Sequence, residues 1–171
     1  MDFKIQWFPG HMTKAKRMME QQLKLVDVVV EMLDARVPRS STNPMLNQLL
    51  GQKPKIIALN KVDMADPAKT EAWKEIFKNN GLPVCVIDCN TGKGVKQLVA
   101  AVQKAAQPVI DKWLKRGVKN RSIRVMIVGI PNVGKSTLIN RLVGKNKVLA
   151  PINRALRAGS SGLPLLKGWS F

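Results

Sequence analysis

The run Gly129-Ile130-Pro131-Asn132-Val133-Gly134-Lys135-Ser136 constrains this chain more than any other part of it. It matches G-x-x-x-x-G-K-[ST], follows an apolar, β-branched stretch at 123–128 and opens a stretch with helical spacing at 135–143. A glycine-bearing turn between a strand and a helix curls backbone N–H groups around phosphate, and the helix N-terminus adds partial positive charge. In such a loop Asn132, Val133 and Gly134 line the phosphates and Lys135 reaches the β and γ groups. The Ser136 hydroxyl ligates Mg²⁺, and Thr137 completes the phosphate-binding set. The chain therefore reads as a binder of a nucleoside di- or triphosphate.

Three more apolar segments, at 26–33, 55–60 and 84–87, alternate with helical spacing at 12–24, 44–50, 67–79 and 95–114. That alternation is the pattern of an α/β fold, a parallel sheet flanked by helices. Pro67 behind Asp66 reads as a first-turn proline after an acidic cap, and Gly51 and Gly81 fall where helices should stop. Beyond residue 144, Pro151, Gly159, Gly162, Pro164 and Gly168 interrupt any period. The expectation is one domain over 1–146 and an irregular basic tail over 147–171.

The base is read elsewhere. Asn60-Lys61-Val62-Asp63 follows the 55–60 strand, and a carboxylate there accepts two hydrogen bonds from the N1–H and N2–H₂ edge of guanine. Adenine lacks the 2-amino group and presents an acceptor at N1, so Asp63 would reject it. Asn60 would brace the loop, and the Lys61 stem would lie over the ring. After the third strand, Asp88-Cys89-Asn90-Thr91-Gly92-Lys93-Gly94 stands where a last base loop belongs, with Asn90 among the nucleotide-binding candidates.

Charge adds a partner. The formal net charge is +18, from 29 Lys and Arg against 11 Asp and Glu. No acidic residue follows Asp111, whereas 13 Lys or Arg do, so the field is one-sided. Such a balance suits a polyanion, nucleic acid above all, and residues 112–124 read as a basic connection. Cys85 and Cys89 have neither the ligand count nor the histidines for zinc and read as free thiols. No apolar run reaches the roughly 20 residues of a membrane span, and the first residues carry no export signal, so a cytoplasmic protein without a membrane partner is expected.

The base motif precedes the phosphate loop. The chain opens with Trp7-Phe8-Pro9-Gly10-His11-Met12 and continues with Asp34-Ala35-Arg36-Val37-Pro38. In this order the four motifs resemble the circularly permuted GTPases of the YlqF/YawG type, over roughly residues 3–145. The resemblance implies a Ras-like P-loop fold entered midway, GTP and GDP with Mg²⁺ as ligands, and no small-molecule substrate beyond GTP. It also implies a role in large ribosomal subunit assembly, with ribosomal RNA and proteins as partners. It places His11 near the nucleotide, where an imidazole could orient the attacking water. The alternative is that Trp7, Phe8 and Pro9 anchor the N-terminus while His11 caps the next helix. It further suggests K⁺ beside the phosphates, held with the help of Asn132. Asp34-Ala35-Arg36 reads as a strand-end turn closed by an ion pair.

The sequence also departs from that family. No aspartate has glycine three places on, so the D-x-x-G that senses the γ-phosphate is missing, and no switch threonine is visible. Residues 150–159 read Ala-Pro-Ile-Asn-Arg-Ala-Leu-Arg-Ala-Gly in that region. The chain would supply the last three strands of a Ras-like sheet and then the first, leaving the 123–128 strand as an exposed apolar edge. Binding without efficient turnover is the expectation. The alternative is a non-hydrolysing basic RNA- or ribosome-binding module that retains nucleotide.

Overall fold

A computed structural model describes residues 9–119, 122–144 and 165–169. Helix α1 (Pro9–Leu23) leads into strand β1 (Val28–Asp34), followed by α2 (Pro44–Leu49), β2 (Lys55–Asn60), α3 (Pro67–Asn79) and β3 (Val84–Val86). Helix α4 (Val95–Lys115), strand β4 (Ile123–Gly129), helix α5 (Lys135–Gly144) and strand β5 (Leu165–Trp169) complete the order.

The sheet runs β3-β2-β1-β4-β5. Strands β1 to β4 are mutually parallel, with Val30 opposite Ile56 on one side and Ile127 on the other. All seven residues of β1 are buried, because both faces of a parallel sheet are covered by its crossover helices. Val28, Val30 and Met32 pack with Leu98 and Val102 of α4 and Leu138 of α5. On the opposite face, Val29 packs with Met19 of α1 and Leu46 of α2, and Leu33 with Phe77 of α3. Glu31 interrupts this apolar face. Its carboxylate meets Lys55 Nζ at 2.8 Å and accepts from the Asn43 N–H at 2.8 Å, so a buried charge is both paired and hydrogen-bonded.

The expected punctuation is present. Asp66 accepts from the Lys69 N–H at 2.9 Å with Pro67 in the first turn of α3. Gly51 and Gly81, with φ of 57° and 75°, follow the C-caps of α2 and α3. Helix α1 starts earlier than the spacing of apolar residues suggests, at Pro9, so His11 lies within the helix and does not cap it. Lys112 and Lys115 belong to the last turn of α4, not to a connection after it.

Two expectations about the end of the chain are corrected. The 123–128 strand is not an open edge, because β5 pairs antiparallel with it, Val125 opposite Leu166 and Met126 opposite Leu165. Within the tail expected to be irregular, residues 165–169 are therefore a strand. Unpaired N–H and C=O groups along an apolar strand are satisfied by any segment able to extend beside them, and Leu165–Trp169 does so. No helix among the described residues is long and apolar enough to cross a membrane.

Candidate nucleotide-binding site

The order in which strands are added reverses between β1 and β4: β2 and β3 lie on one side of β1, while β4, which follows them in sequence and runs parallel to β1, lies on the other. A crevice at the C-terminal ends of strands forms at such a switch point, and it is where open α/β sheets bind ligands. Every base and phosphate motif named above follows the end of one of these strands.

The phosphate loop connects β4 to α5. Asn132 has φ 63° and Gly134 φ 106°, so the backbone turns through the left-handed region twice within three residues. A Cβ on Gly129 would stand 2.8 Å from the Met32 carbonyl oxygen, and one on Gly134 2.3 Å from Asn60 Nδ2, so close backbone approach requires both glycines. Lys135 Nζ donates to the carbonyls of Gly129 and Ile130 at 2.7 and 2.8 Å, and burial pushes its pKa down. The ammonium is thus already folded over the loop. Val133 is buried, and Ser136 and Thr137 are exposed at the helix start. Among the described residues the Ser136 hydroxyl has no hydrogen-bond partner.

Asn60 ties this loop to the base loops. Its Nδ2 donates to the Val133 carbonyl at 2.8 Å, and its Oδ1 accepts from the Cys89 N–H at 3.0 Å. One buried side chain therefore joins the phosphate loop, β2 and the loop after β3. Lys61 follows with φ 64°, a left-handed conformation that a non-glycine residue adopts at some cost, and Asp63 is exposed in the short 3-10 turn Val62–Met64.

The Asp34-Ala35-Arg36 ion pair is present. Arg36 donates to both carboxylate oxygens of Asp34, at 3.0 and 2.8 Å, and its own N–H donates at 3.0 Å. The Arg36 side-chain hydrogen bond holds the Asp34 carboxyl down at about 2, although burial pushes the other way. Asp34 also stands 3.4 Å from Lys61 Nζ, a link between strand-end turn and base motif that sequence reading missed. Ser41 fixes the turn, accepting from the Asp34 N–H at 3.1 Å and donating to the Val37 carbonyl at 2.9 Å.

In the last base loop, Asp88 accepts from the Asn90 N–H at 2.8 Å and the Thr91 hydroxyl at 2.6 Å. Arg141 of α5 donates from Nε to the Cys89 carbonyl at 2.6 Å and from its terminal nitrogen to the Asn90 carbonyl. Nothing in the sequence marks Arg141, which lies 52 residues from its partner. Cys85 and Cys89 are free and buried, and burial raises the Cys89 thiol to about 11. Of the remaining candidates, the His11 side chain lies outside the described residues, as does all of 145–164.

The family described as 50S ribosome-binding GTPase matches residues 124–155. Ribosome biogenesis GTPase A of Priestia megaterium is 53% identical over 142 residues, covering 82% of this chain and 49% of that protein. Mitochondrial ribosome-associated GTPase 1 of Mus musculus is 39% identical over 137 residues, covering 80% of this chain and 41% of that one. Among solved structures, GNP-bound YlqF from T. maritima superposes with a TM-score of 0.57 at 38% identity, over 80% of this chain and 51% of that one. The chain thus spans about half the length, 49%, of the bacterial relative it matches. With its base motif on β2, its phosphate loop after β4 and these relatives, the chain belongs to the circularly permuted GTPases of the YlqF/YawG type.

Proposed function

We propose that this chain binds GTP and GDP in the cytoplasm and serves large ribosomal subunit assembly through contacts with ribosomal RNA and proteins. The observation that carries the nucleotide reading is the Asn60 bridge, which holds phosphate loop and base loop in one fixed geometry. Asp63 reads the guanine edge, the Lys61 stem covers the ring, and the 88–94 loop, Asn90 included, closes around the base. Lys135 leaves its loop carbonyls for the β and γ phosphates, while the N–H groups from Asn132 to Thr137 surround them.

Ser136 is the residue that would hold Mg²⁺, and its exposed, unpartnered hydroxyl fits that role. When bound, the ion neutralises phosphate charge. Asn132, exposed at the loop tip, is the proposed contact for K⁺, and His11 the proposed positioner of water. The partner half of the proposal rests on the +18 net charge and on relatives whose names carry the ribosome.

Hydrolysis by this chain is slow in the proposal, because no acidic residue follows Asp111 to hold the ion's outer sphere or sense the γ-phosphate. The same absence favours the second reading, a basic ribosome-binding module that retains nucleotide without turning it over. Phosphate release from GTP, followed with and without large ribosomal subunits in potassium and in sodium, separates them. The leading reading expects weak release that subunits and potassium raise and that His11→Ala abolishes. Release indistinguishable from buffer in every condition, with GDP still bound, establishes the non-hydrolysing module.

A further inference from the structure

The α4 C-terminus lies at the end of the sheet opposite the nucleotide crevice, where the parallel strands begin. Lys112, Lys115, Arg116 and Lys119 are all exposed there, and among the described residues none of them has an acidic partner. The preceding acid, Asp111, is engaged by the Gln107 side chain at 2.8 Å. Lys112, Lys115 and Arg116 follow helical i, i+3, i+4 spacing, which puts them on one face. Buried Trp113 anchors this end of the helix in the core.

The stretch after the helix is built rather than loose. Gly117, with φ 75°, donates its N–H to the Leu114 carbonyl at 3.0 Å, and Val118 donates to the Trp113 carbonyl at 3.0 Å. These are the two bonds of a Schellman motif, which fixes Arg116 and the residues after it against the helix. A helix C-terminus carries about half a negative charge, felt within its last turn. Lys112 and Lys115 suffice for that, and Arg116 and Lys119 are surplus to it. Leu114 and Val118 are 57% and 43% exposed among these cations.

We infer that this preorganised basic end of α4 docks the phosphate backbone of double-helical RNA, at a site separate from the nucleotide crevice. The inference rests on the RNA partner named in the proposed function and adds where and how that RNA is held. The charge distribution suits a polyphosphate backbone, since every charged residue beyond Asp111 is a cation. A duplex is favoured over unpaired bases because the apolar side chains exposed among these cations, Leu114 and Val118, are aliphatic and offer no ring on which a base could stack.

The test is binding of the whole chain to a short RNA duplex and to its separated strand, by fluorescence anisotropy over a range of KCl. It compares the unmodified protein with the triple variant Lys115→Glu, Arg116→Glu, Lys119→Glu. A second triple, Lys69→Glu, Lys96→Glu, Lys104→Glu, changes the net charge equally on exposed residues elsewhere. The first triple is expected to weaken duplex binding about tenfold or more at low salt and to reduce the slope of log K against log salt by about 0.7–0.9 per lost contact. The second should do much less, and GDP affinity should hold in both. The neutral triple Lys115→Gln, Arg116→Gln, Lys119→Gln should show an intermediate loss, which guards against misfolding of the reversal. Equal losses in both Glu triples, or stronger binding to the separated strand, overturns the inference alone. Binding to anionic phosphatidylserine vesicles but to neither RNA overturns it together with the RNA partner.

Discussion

The Asn60 side chain donates to the Val133 carbonyl at 2.8 Å, a buried bond between residues 73 apart in sequence. Because the same amide also accepts from the Cys89 N–H, it cannot be removed without orphaning two buried backbone groups. Asn60→Ala is expected to cost about 2–3 kcal/mol in urea unfolding and to weaken GDP at least tenfold. Asn60→Asp should be little better, since a carboxylate then faces the Val133 carbonyl. A variant of unchanged midpoint and affinity would show that the bridge is incidental.

Gly134 tests the same junction from the other side. Its φ of 106° and the 2.3 Å gap from a would-be Cβ to Asn60 Nδ2 leave no room for a side chain. Gly134→Ala should cost about 2 kcal/mol or more, from backbone strain and displacement of the amide. Thermal unfolding with and without GDP measures it: the rise in Tm on adding nucleotide should shrink along with the basal Tm.

Asp34 gives the fold a defined response to acid. Its carboxyl is held at about 2 against an ordinary 3.8, first by the Arg36 side chain. A lowered folded-state pKa contributes stability that is full above the unfolded value and is lost as pH falls toward the folded one. Asp34→Asn should therefore be less stable by about 1–2 kcal/mol at pH 7, an amount reduced by the half-exposure of Arg36. The gap should close between pH 4 and pH 2, and denaturant titrations across that range read it. A gap that widens in acid would contradict the assignment.

Arg141 holds the Cys89 and Asn90 carbonyls from the helix that carries the phosphate loop. Hydrogen bonds from a charged donor are worth about 1.5–3 kcal/mol, and a partly exposed one less. Arg141→Gln should loosen the base loop, speeding GDP dissociation roughly threefold to thirtyfold in a stopped-flow chase with little change in urea midpoint. Arg141→Lys, keeping charge but losing the fork, should fall between.

Much of the fold was legible because its signals are local. The apolar runs that became β1 to β4 alternate with helical spacing, and Asp66-Pro67 and Gly51 mark helix ends by chemistry that acts within one turn. The phosphate loop and base motif were legible for the same reason, each being a contiguous run. Contacts between distant segments were not legible. Nothing near Lys61 announces Asp34, and nothing near Asn90 announces Arg141, because sheet order brings each pair together. The β5 strand was missed because glycine and proline around Leu165–Trp169 read as irregular, while the open side of β4 supplied what its own sequence lacked.

Selection of guanine by Asp63, as proposed, is measured by titration calorimetry with GDP and ADP in Mg²⁺. GDP should bind at least a thousandfold more tightly than ADP, because buried polar groups left unpaired by the wrong base penalise it heavily. Asp63→Asn should lose GDP and gain xanthosine diphosphate, whose 2-oxo group accepts the hydrogen bond that an amide can donate. Equal affinity for GDP and ADP, or a substitution that leaves GDP binding intact, would contradict it.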